Sequence, residues 1–381
     1  MPRDLNTQLD ILKPSGIRAF SQLASKTPGC VSLALGEPGD NTDFDISQMV
    51  RYSLLQGFTH YPPNNGHRFL RKAIAKHLTS RKTPFSTDEI IVTSGATEAL
   101  YVALTTILNP EDEVIIPTPA FSLYESIIIL NRANPVFLDT SKTFFQITRE
   151  QLEERVSPRT KAIIITSPNN PTGCMLNEES LAAVAEYAQK NDFYVICDDV
   201  YGQLVFDGVK EKPYFAAQYP NLREQTICID SFSKPYSMTG WRLGWLAADK
   251  PFIDQASKVH QYAVSSVTSF TQHAAAYALR YEPDERRMRY QRRRDKVMRA
   301  VAASGKISCA VPQGAFYAFL DISELGMGSE EFCERAIREA GVALVPGVFF
   351  RAEGFVRLSF AADDEILSEG LKRLIHFVDS L

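Results

Sequence analysis

The feature that most constrains this chain is an alternation running from about Asp88 to Lys250, in which short apolar runs are separated by longer amphipathic ones. The strand candidates are "EIIVT", "DEVIIP", "NPVFLD", "KAIIIT", "FYVIC", "TICID" and "RLGWLAA". Most are continuously apolar rather than alternating, as strands covered on both faces are. Between them apolar residues recur at helical spacing, with Leu100, Ala103, Leu104, Ile107 and Leu108 in one segment and Leu181, Val184, Ala185 and Ala188 in another. Strand–helix alternation of this kind predicts an α/β fold on an open, mostly parallel sheet. In such a sheet the ligand lies beyond the carboxyl ends of the strands, which is where chemistry should be sought.

From about Tyr281 the pattern changes. The stretch "DERRMRYQRRRDKVMRAVAAS" reads as a charged helix. It leads into "GAFYAFLDI", another helix, "VALVPG", "GFVRLSFA" and a final amphipathic helix, which together predict a smaller α+β unit. The expected division is an N-terminal arm with part of the small domain over 1–44, a large domain over 45–280, and the rest of the small domain over 281–381. Acidic residues (Asp284, Glu285 and Asp295) flank the arginine run from Arg286 to Arg294 along a helical pattern, so these read as a solvated helix face rather than an anion patch. The first 30 or so residues show little periodicity and read as an arm.

Composition narrows the function classes. The 381 residues are 45% hydrophobic and 23% charged with a formal net charge of −4, which provides no basic footprint for nucleic acid. The opening "MPRDLNTQLDILKP" lacks the apolar core of a signal peptide, and stretches such as "ESIIIL" are too short to cross a bilayer. A cytoplasmic protein with no membrane partner is expected. Six cysteines without a C-x-x-C pair and six histidines without an H-E-x-x-H cluster offer no metal-ligand spacing.

Several expected strands end in polar residues. "EIIVT" runs into Ser94-Gly95-Ala96-Thr97, where a glycine between strand and helix turns backbone N–H groups toward an anion, although many α/β turns share this form. "KAIIIT" ends in "SPNNPTG", which by itself is a strand-exit turn. "FYVIC" delivers Asp198 and Asp199 to a strand end. A buried carboxylate there is costly unless a cation meets it, and a helix N-cap is the alternative. "TICID" leads to Ser231, Ser233 and Lys234. A desolvated amine is nucleophilic toward carbonyls, whereas a lone lysine ordinarily reaches out of its loop to water. Taken together, an anion cradle, an asparagine, a carboxylate and an amine match the handles of pyridoxal phosphate: its phosphate, ring nitrogen and aldehyde.

On these residues, and above all on "SFSKPYSMTGWRLGW", the chain resembles the class I/II pyridoxal-phosphate aminotransferases of fold type I. The resemblance spans nearly the whole chain, from "SGIRAFSQLA" and "SLALGEP" to "VPGVFF" and "GFVRLSFA". It implies a large domain with a mostly parallel seven-stranded sheet, plus a smaller α+β domain. It also implies that Lys234 bonds the cofactor's aldehyde and then shuttles a proton, that Asp198 pairs with the ring nitrogen, and that Tyr201 and Asn170 reach the ring's phenolic oxygen. Ala96, Thr97, Ser231, Ser233 and Arg242 match phosphate-binding positions, and Phe121 matches the aromatic that stacks on the ring. Tyr61 in "HYPPNNG" matches a tyrosine that reaches the neighbouring subunit's phosphate, which implies a homodimer. Arg357 and Gly36 match positions that receive the substrate α-carboxylate, with Asn170 beside them.

The implied reaction is a ping-pong transamination between L-amino acids and 2-oxo acids. The segments "HQYAVSSVTSFTQHAA" and "SMTGWRLGW" most resemble the N-acetyl-diaminopimelate and aromatic-amino-acid branch, with glutamate and 2-oxoglutarate as one pair. "GEPGDNTDFDI" departs from the family's "GEPDFDTP", so the wall near the substrate side chain is expected to differ. A carbon–sulfur β-lyase using the same lysine, aspartate and arginine is the alternative. A non-catalytic regulator is a remoter one, because the expected arm is too short for a DNA-binding segment.

Overall fold

The computed structural model describes residues 5–12, 16–209, 212 and 214–381, so part of the expected arm (residues 1–4 and 13–15) lies outside the described residues. Among these, thirteen strands form three sheets. β1 (Val31–Ser32) stands apart from the main sheet. Seven strands form that sheet: β2 (Ile90–Thr93), β3 (Glu113–Thr118), β4 (Asn134–Asp139), β5 (Thr160–Thr166), β6 (Tyr194–Asp198), β7 (Thr226–Ser231) and β8 (Gly244–Ala247). Their order is β2-β8-β7-β6-β5-β3-β4, with only β8 antiparallel to its neighbours. All seven strand candidates are present.

The continuous apolar runs have a direct cause, since both faces of this sheet are covered. Ile91, Ile164 and Ile196 pack with the helices Gly95–Ile107 and Lys250–Val264 on one face. Their neighbours Ile90, Val92, Ile163, Ile165 and Val195 turn to the other face, against the helices Arg68–Ser80 and Glu178–Asn191. With only β8 reversed, the carboxyl ends of β2, β3, β5, β6 and β7 share one edge.

The remaining strands are β9 (Ser308–Cys309), β10 (Tyr317–Asp321), β11 (Val342–Ala343), β12 (Val345–Pro346) and β13 (Phe355–Ser359). Four of them form an antiparallel sheet in the order β12-β13-β10-β9, while β11 pairs parallel with β1. The helix Asp364–Ser380 packs behind them.

Two sequence expectations are corrected here. The N-terminal stretch is not an unpatterned arm: Gly16–Lys26 is a helix, with Phe20 and Ala24, one turn apart, buried in the core around β10 and β13. Nor do all the arginines of the helix Asp284–Ser304 lie on a solvated face, although Arg292 and Arg299 are exposed. Arg286, Arg293 and Arg294 are buried. Arg294 pairs with Asp207 at 2.5 Å and with Asp295, and Arg293 donates to the Ala361 carbonyl at 3.0 Å and reaches Asp364. Arg286 donates to the Pro235 carbonyl and faces Asp43. A buried guanidinium is tolerated when carboxylates and carbonyls meet most of its donors, although Arg286 Nε has no hydrogen-bond partner and lies 3.9 Å from Asp40. No helix among the described residues is long and apolar enough to cross a membrane.

Candidate active site

Where the carboxyl edge of the seven-stranded sheet faces β10 and β13, a cavity of about 280 Å³ opens. Gly36, Ala96, Thr97, Phe121, Asn170, Asp198, Tyr201, Ser231, Ser233, Lys234, Arg242 and Arg357 all line it. Tyr61 does not: it lies on the surface of the single chain, 93% exposed.

Lys234 sits three residues beyond β7, and its Nζ donates to the Gly36 carbonyl at 2.6 Å. Burial disfavours the ammonium and brings its pKa down to about 8. Asp198, the last residue of β6, is buried; its Oδ2 accepts from the Tyr124 hydroxyl at 2.6 Å, and its Oδ1 faces the Val200 amide at 3.4 Å. Desolvation raises this carboxyl to about 6, against the opposing pull of those hydrogen bonds. It has no cationic partner among the described residues. The adjacent Asp199 is different, forming a buried ion pair with Lys212.

At the end of β2 the chain turns through Gly95, at φ +76°, into the helix Gly95–Ile107. A Cβ there would fall 2.7 Å from Arg242 Nη2 and displace that guanidinium, and the left-handed backbone favours glycine. Ser231 Oγ lies 2.8 Å from Ser233 Oγ, and Arg242 itself adopts a left-handed conformation at φ +54°. Hydroxyls, a guanidinium and the first amides of a 13-residue helix are a donor set suited to a phosphate dianion.

The opposite wall belongs to β10 and β13. Arg357 on β13 is buried, donating from Nη1 to Asn170 Oδ1 at 2.8 Å and from Nη2 to the Ala34 carbonyl at 2.9 Å. Its Nε has no partner, and no carboxylate pairs with it among the described residues. Its guanidinium lies 4.5 Å from the Tyr317 ring centre and 5.0 Å from that of Phe350. Desolvation lowers its pKa, the expected direction for a cation buried without an acid.

Among the lining residues that the sequence did not point to are Tyr124, Thr166 and Tyr317. Tyr124 follows Phe121 by three residues and holds Asp198, while its hydroxyl lies 2.8 Å from Thr166 Oγ1. Its spacing from Phe121 was the available signal. Tyr317, on β10, places its hydroxyl 2.9 Å from that of Tyr201. In "GAFYAFLDI" nothing local marks it as different from its core neighbours.

These residues fit pyridoxal phosphate. The cavity presents an amine with a lowered pKa, a buried carboxylate lacking a cation, an anion-binding turn and a guanidinium with an unpartnered N–H.

Known proteins agree. The family model described as Aminotransferase class I and II matches residues 28–374. A Bacillus subtilis protein named "Probable N-acetyl-LL-diaminopimelate aminotransferase" is 39% identical, covering 98% of this chain and 95% of its own. Aromatic-amino-acid aminotransferase 2 of Thermococcus litoralis is 37% identical over 97% of each. The solved aspartate aminotransferase from Thermus thermophilus with maleate superposes with a TM-score of 0.92 at 32% identity, covering 98% of this chain and 100% of that one. All three carry aminotransferase names, and none carries that of the lyase alternative. The chain belongs to the class I and II aminotransferase family and is a pyridoxal-phosphate-dependent aminotransferase of fold type I.

Proposed function

We propose that Lys234, Asp198 and Arg357 carry both halves of a ping-pong transamination. One pair is glutamate and 2-oxoglutarate; the other is an amino acid of aromatic or N-acetyl-diaminopimelate type with its 2-oxo acid. The observation that carries this reading is Arg357: a buried guanidinium without an acid, in one cavity with an amine and an unpaired carboxylate.

Bound pyridoxal phosphate supplies an aldehyde for the amino group and a ring that spreads the charge left when the substrate Cα loses its proton. Everything else falls to this chain. Lys234 anchors the aldehyde and, once freed, moves the Cα proton; a pKa near 8 leaves part of the amine neutral at neutral pH. Asp198 pairs with the ring nitrogen while Tyr124 holds its Oδ2. Tyr201 and Asn170 reach the ring oxygen, and Phe121 covers the ring face. Ala96, Thr97, Ser231, Ser233 and Arg242 hold the phosphate. Arg357, with Gly36 and Asn170, grips the α-carboxylate common to amino and oxo acids.

Tyr61 serves the partner's phosphate in a homodimer, which accounts for its exposure in the single chain. A cytoplasmic location and domain limits near residues 45 and 280 complete the reading. The names of the relatives support the substrate classes.

The test is to mix purified holo-protein with single amino acids, without any oxo acid, and follow the cofactor's visible absorption. Glutamate or an aromatic donor should change it in proportion to the enzyme present. Absorption that survives every donor, with pyruvate released from a sulfur amino acid instead, overturns the reading.

A further inference from the structure

Outside the cavity, two titratable side chains meet in the core without a role in the chemistry above. His260, on the helix Lys250–Val264, is fully buried, and its Nδ1 lies 2.6 Å from Glu98 Oε1. Its Nε2 lies 2.8 Å from the Asn64 carbonyl, which can only accept, so Nε2 carries a hydrogen. The 2.6 Å contact joins Nδ1 to Glu98.

Each end of this pair holds something specific. Glu98 stands in the first turn of the helix Gly95–Ile107, and its Oε2 accepts from the Ser94 amide at the mouth of the phosphate turn. Asn64 lies three residues after Tyr61, in the loop "HYPPNNG". The same helix grips that loop one turn earlier: Asn64 Nδ2 donates to the Ser257 carbonyl at 3.1 Å, and Asn65 Nδ2 to Ser257 Oγ at 2.8 Å. Ser257 and His260, three residues apart, thus present one helical face to the loop. A chain of hydrogen bonds runs from Ser94 through Glu98 and His260 to the backbone just beyond Tyr61.

We propose that Glu98 and His260 are a positioning pair that ties the phosphate turn of one subunit's site to the loop presenting Tyr61 to the other site, so that the two cofactor sites of the dimer are linked. This rests on the dimer reading given above. Filling the phosphate turn fixes Ser94 and Glu98, and through His260 it fixes the loop that completes the neighbouring site. Neither residue lines the cavity.

The experiment is a double-mutant cycle on the dissociation constant of pyridoxal phosphate, measured by fluorescence on full-length enzyme resolved of its cofactor. The four proteins are the wild type, His260→Leu, Tyr61→Phe and the double variant. Each single change is expected to weaken binding about tenfold, the scale of a hydrogen bond to a charged group. The double variant should be little weaker than the worse single, because His260 acts through Tyr61. His260→Gln, which keeps a donor toward Asn64, should recover much of the loss, and KM for the amino acid should stay near its wild-type value.

Independent losses that multiply to about a hundredfold overturn the proposal while leaving the dimer reading intact, as does full affinity in His260→Leu. Full affinity in Tyr61→Phe overturns both. Should His260→Leu not fold, Glu98→Gln with Tyr61→Phe runs the same cycle with the same two outcomes.

Discussion

Lys212 and Arg357 are both cations in the interior, 5% and 2% exposed, yet they sit in regions of opposite design. Lys212 lies behind the carboxyl edge of the large sheet and is charge-paired with Asp199 within the chain, although Asp199 Oδ2 has no hydrogen-bond partner. Arg357 faces the cavity from β13 with neutral partners, Asn170 and the Ala34 carbonyl, and an unmet Nε. A buried charge without its counter-charge is costly to keep. The first arrangement compensates its charge within the fold; the second leaves a buried cation without a counter-charge, which is what the proposed carboxylate site requires. Asp198 and Asp199 repeat the contrast in adjacent residues, one with a lysine and one with only hydroxyl and amide donors.

The largest effect should come from the amine proposed to serve both halves of the reaction. Lys234→Ala should lower kcat by on the order of 10⁴-fold or more while the protein remains folded, as read in a steady-state assay with a circular dichroism control. Arg357→Ala comes next. It should cut kcat/KM by about a hundredfold for amino acid and oxo acid alike, while the melting temperature of the cofactor-free protein does not fall. Lys212→Met should do the reverse, costing about 3–5 kcal/mol of stability by stranding Asp199, as read by urea unfolding. If Arg357→Ala destabilises the empty protein as much as Lys212→Met does, the contrast between the two cations is broken.

Titration sharpens the same comparison. In the cofactor-free protein the Lys234 pKa is lowered to about 8 from 10.5, so between these values the unfolded chain holds a proton that the folded chain has released. Stability therefore rises through that window. Lys234→Met should stabilise the empty protein at pH 7, with a gain that shrinks as the pH passes 8 toward 10. For Asp198, raised to about 6 from 3.8, the folded chain binds the extra proton, and stability falls as the pH rises through that range. Asp198→Asn should gain stability above pH 6 and lose that gain toward pH 4. Thermal melts across pH check both. The smallest effect is expected from Tyr124→Phe, which removes one donor from Asp198 and should weaken cofactor binding by about threefold to tenfold.

The two walls of the cavity were not equally legible in the sequence. On the large-sheet side each group is announced within a few residues of its strand: Asp198 closes β6, Ser231 closes β7, and Gly95 follows β2. Burial on both faces makes those strands continuously apolar, so the polar residue that ends each one stands out. The other wall depends on contacts across the chain. Arg357 meets Ala34 and Asn170, which are 323 and 187 residues away, so its number alone says nothing about its unpaired state. Tyr317 is hidden among apolar neighbours on β10 for the same reason. Arg286, Arg293 and Arg294 misled because their partners, among them Asp43, Asp207, Pro235 and Asp364, lie in distant segments. The Glu98–His260 pair spans 162 residues and carries no local mark at all.

The most direct test of the central claim, that Arg357 waits for the substrate's carboxylate, compares phenylalanine with phenethylamine, the same side chain without the carboxylate. The single-turnover rate of loss of the cofactor's visible absorption is measured for the wild type and for Arg357→Ala. The account predicts that the wild type prefers phenylalanine by on the order of a hundredfold and that the variant loses most of this preference. A variant that still discriminates as strongly as the wild type would contradict it.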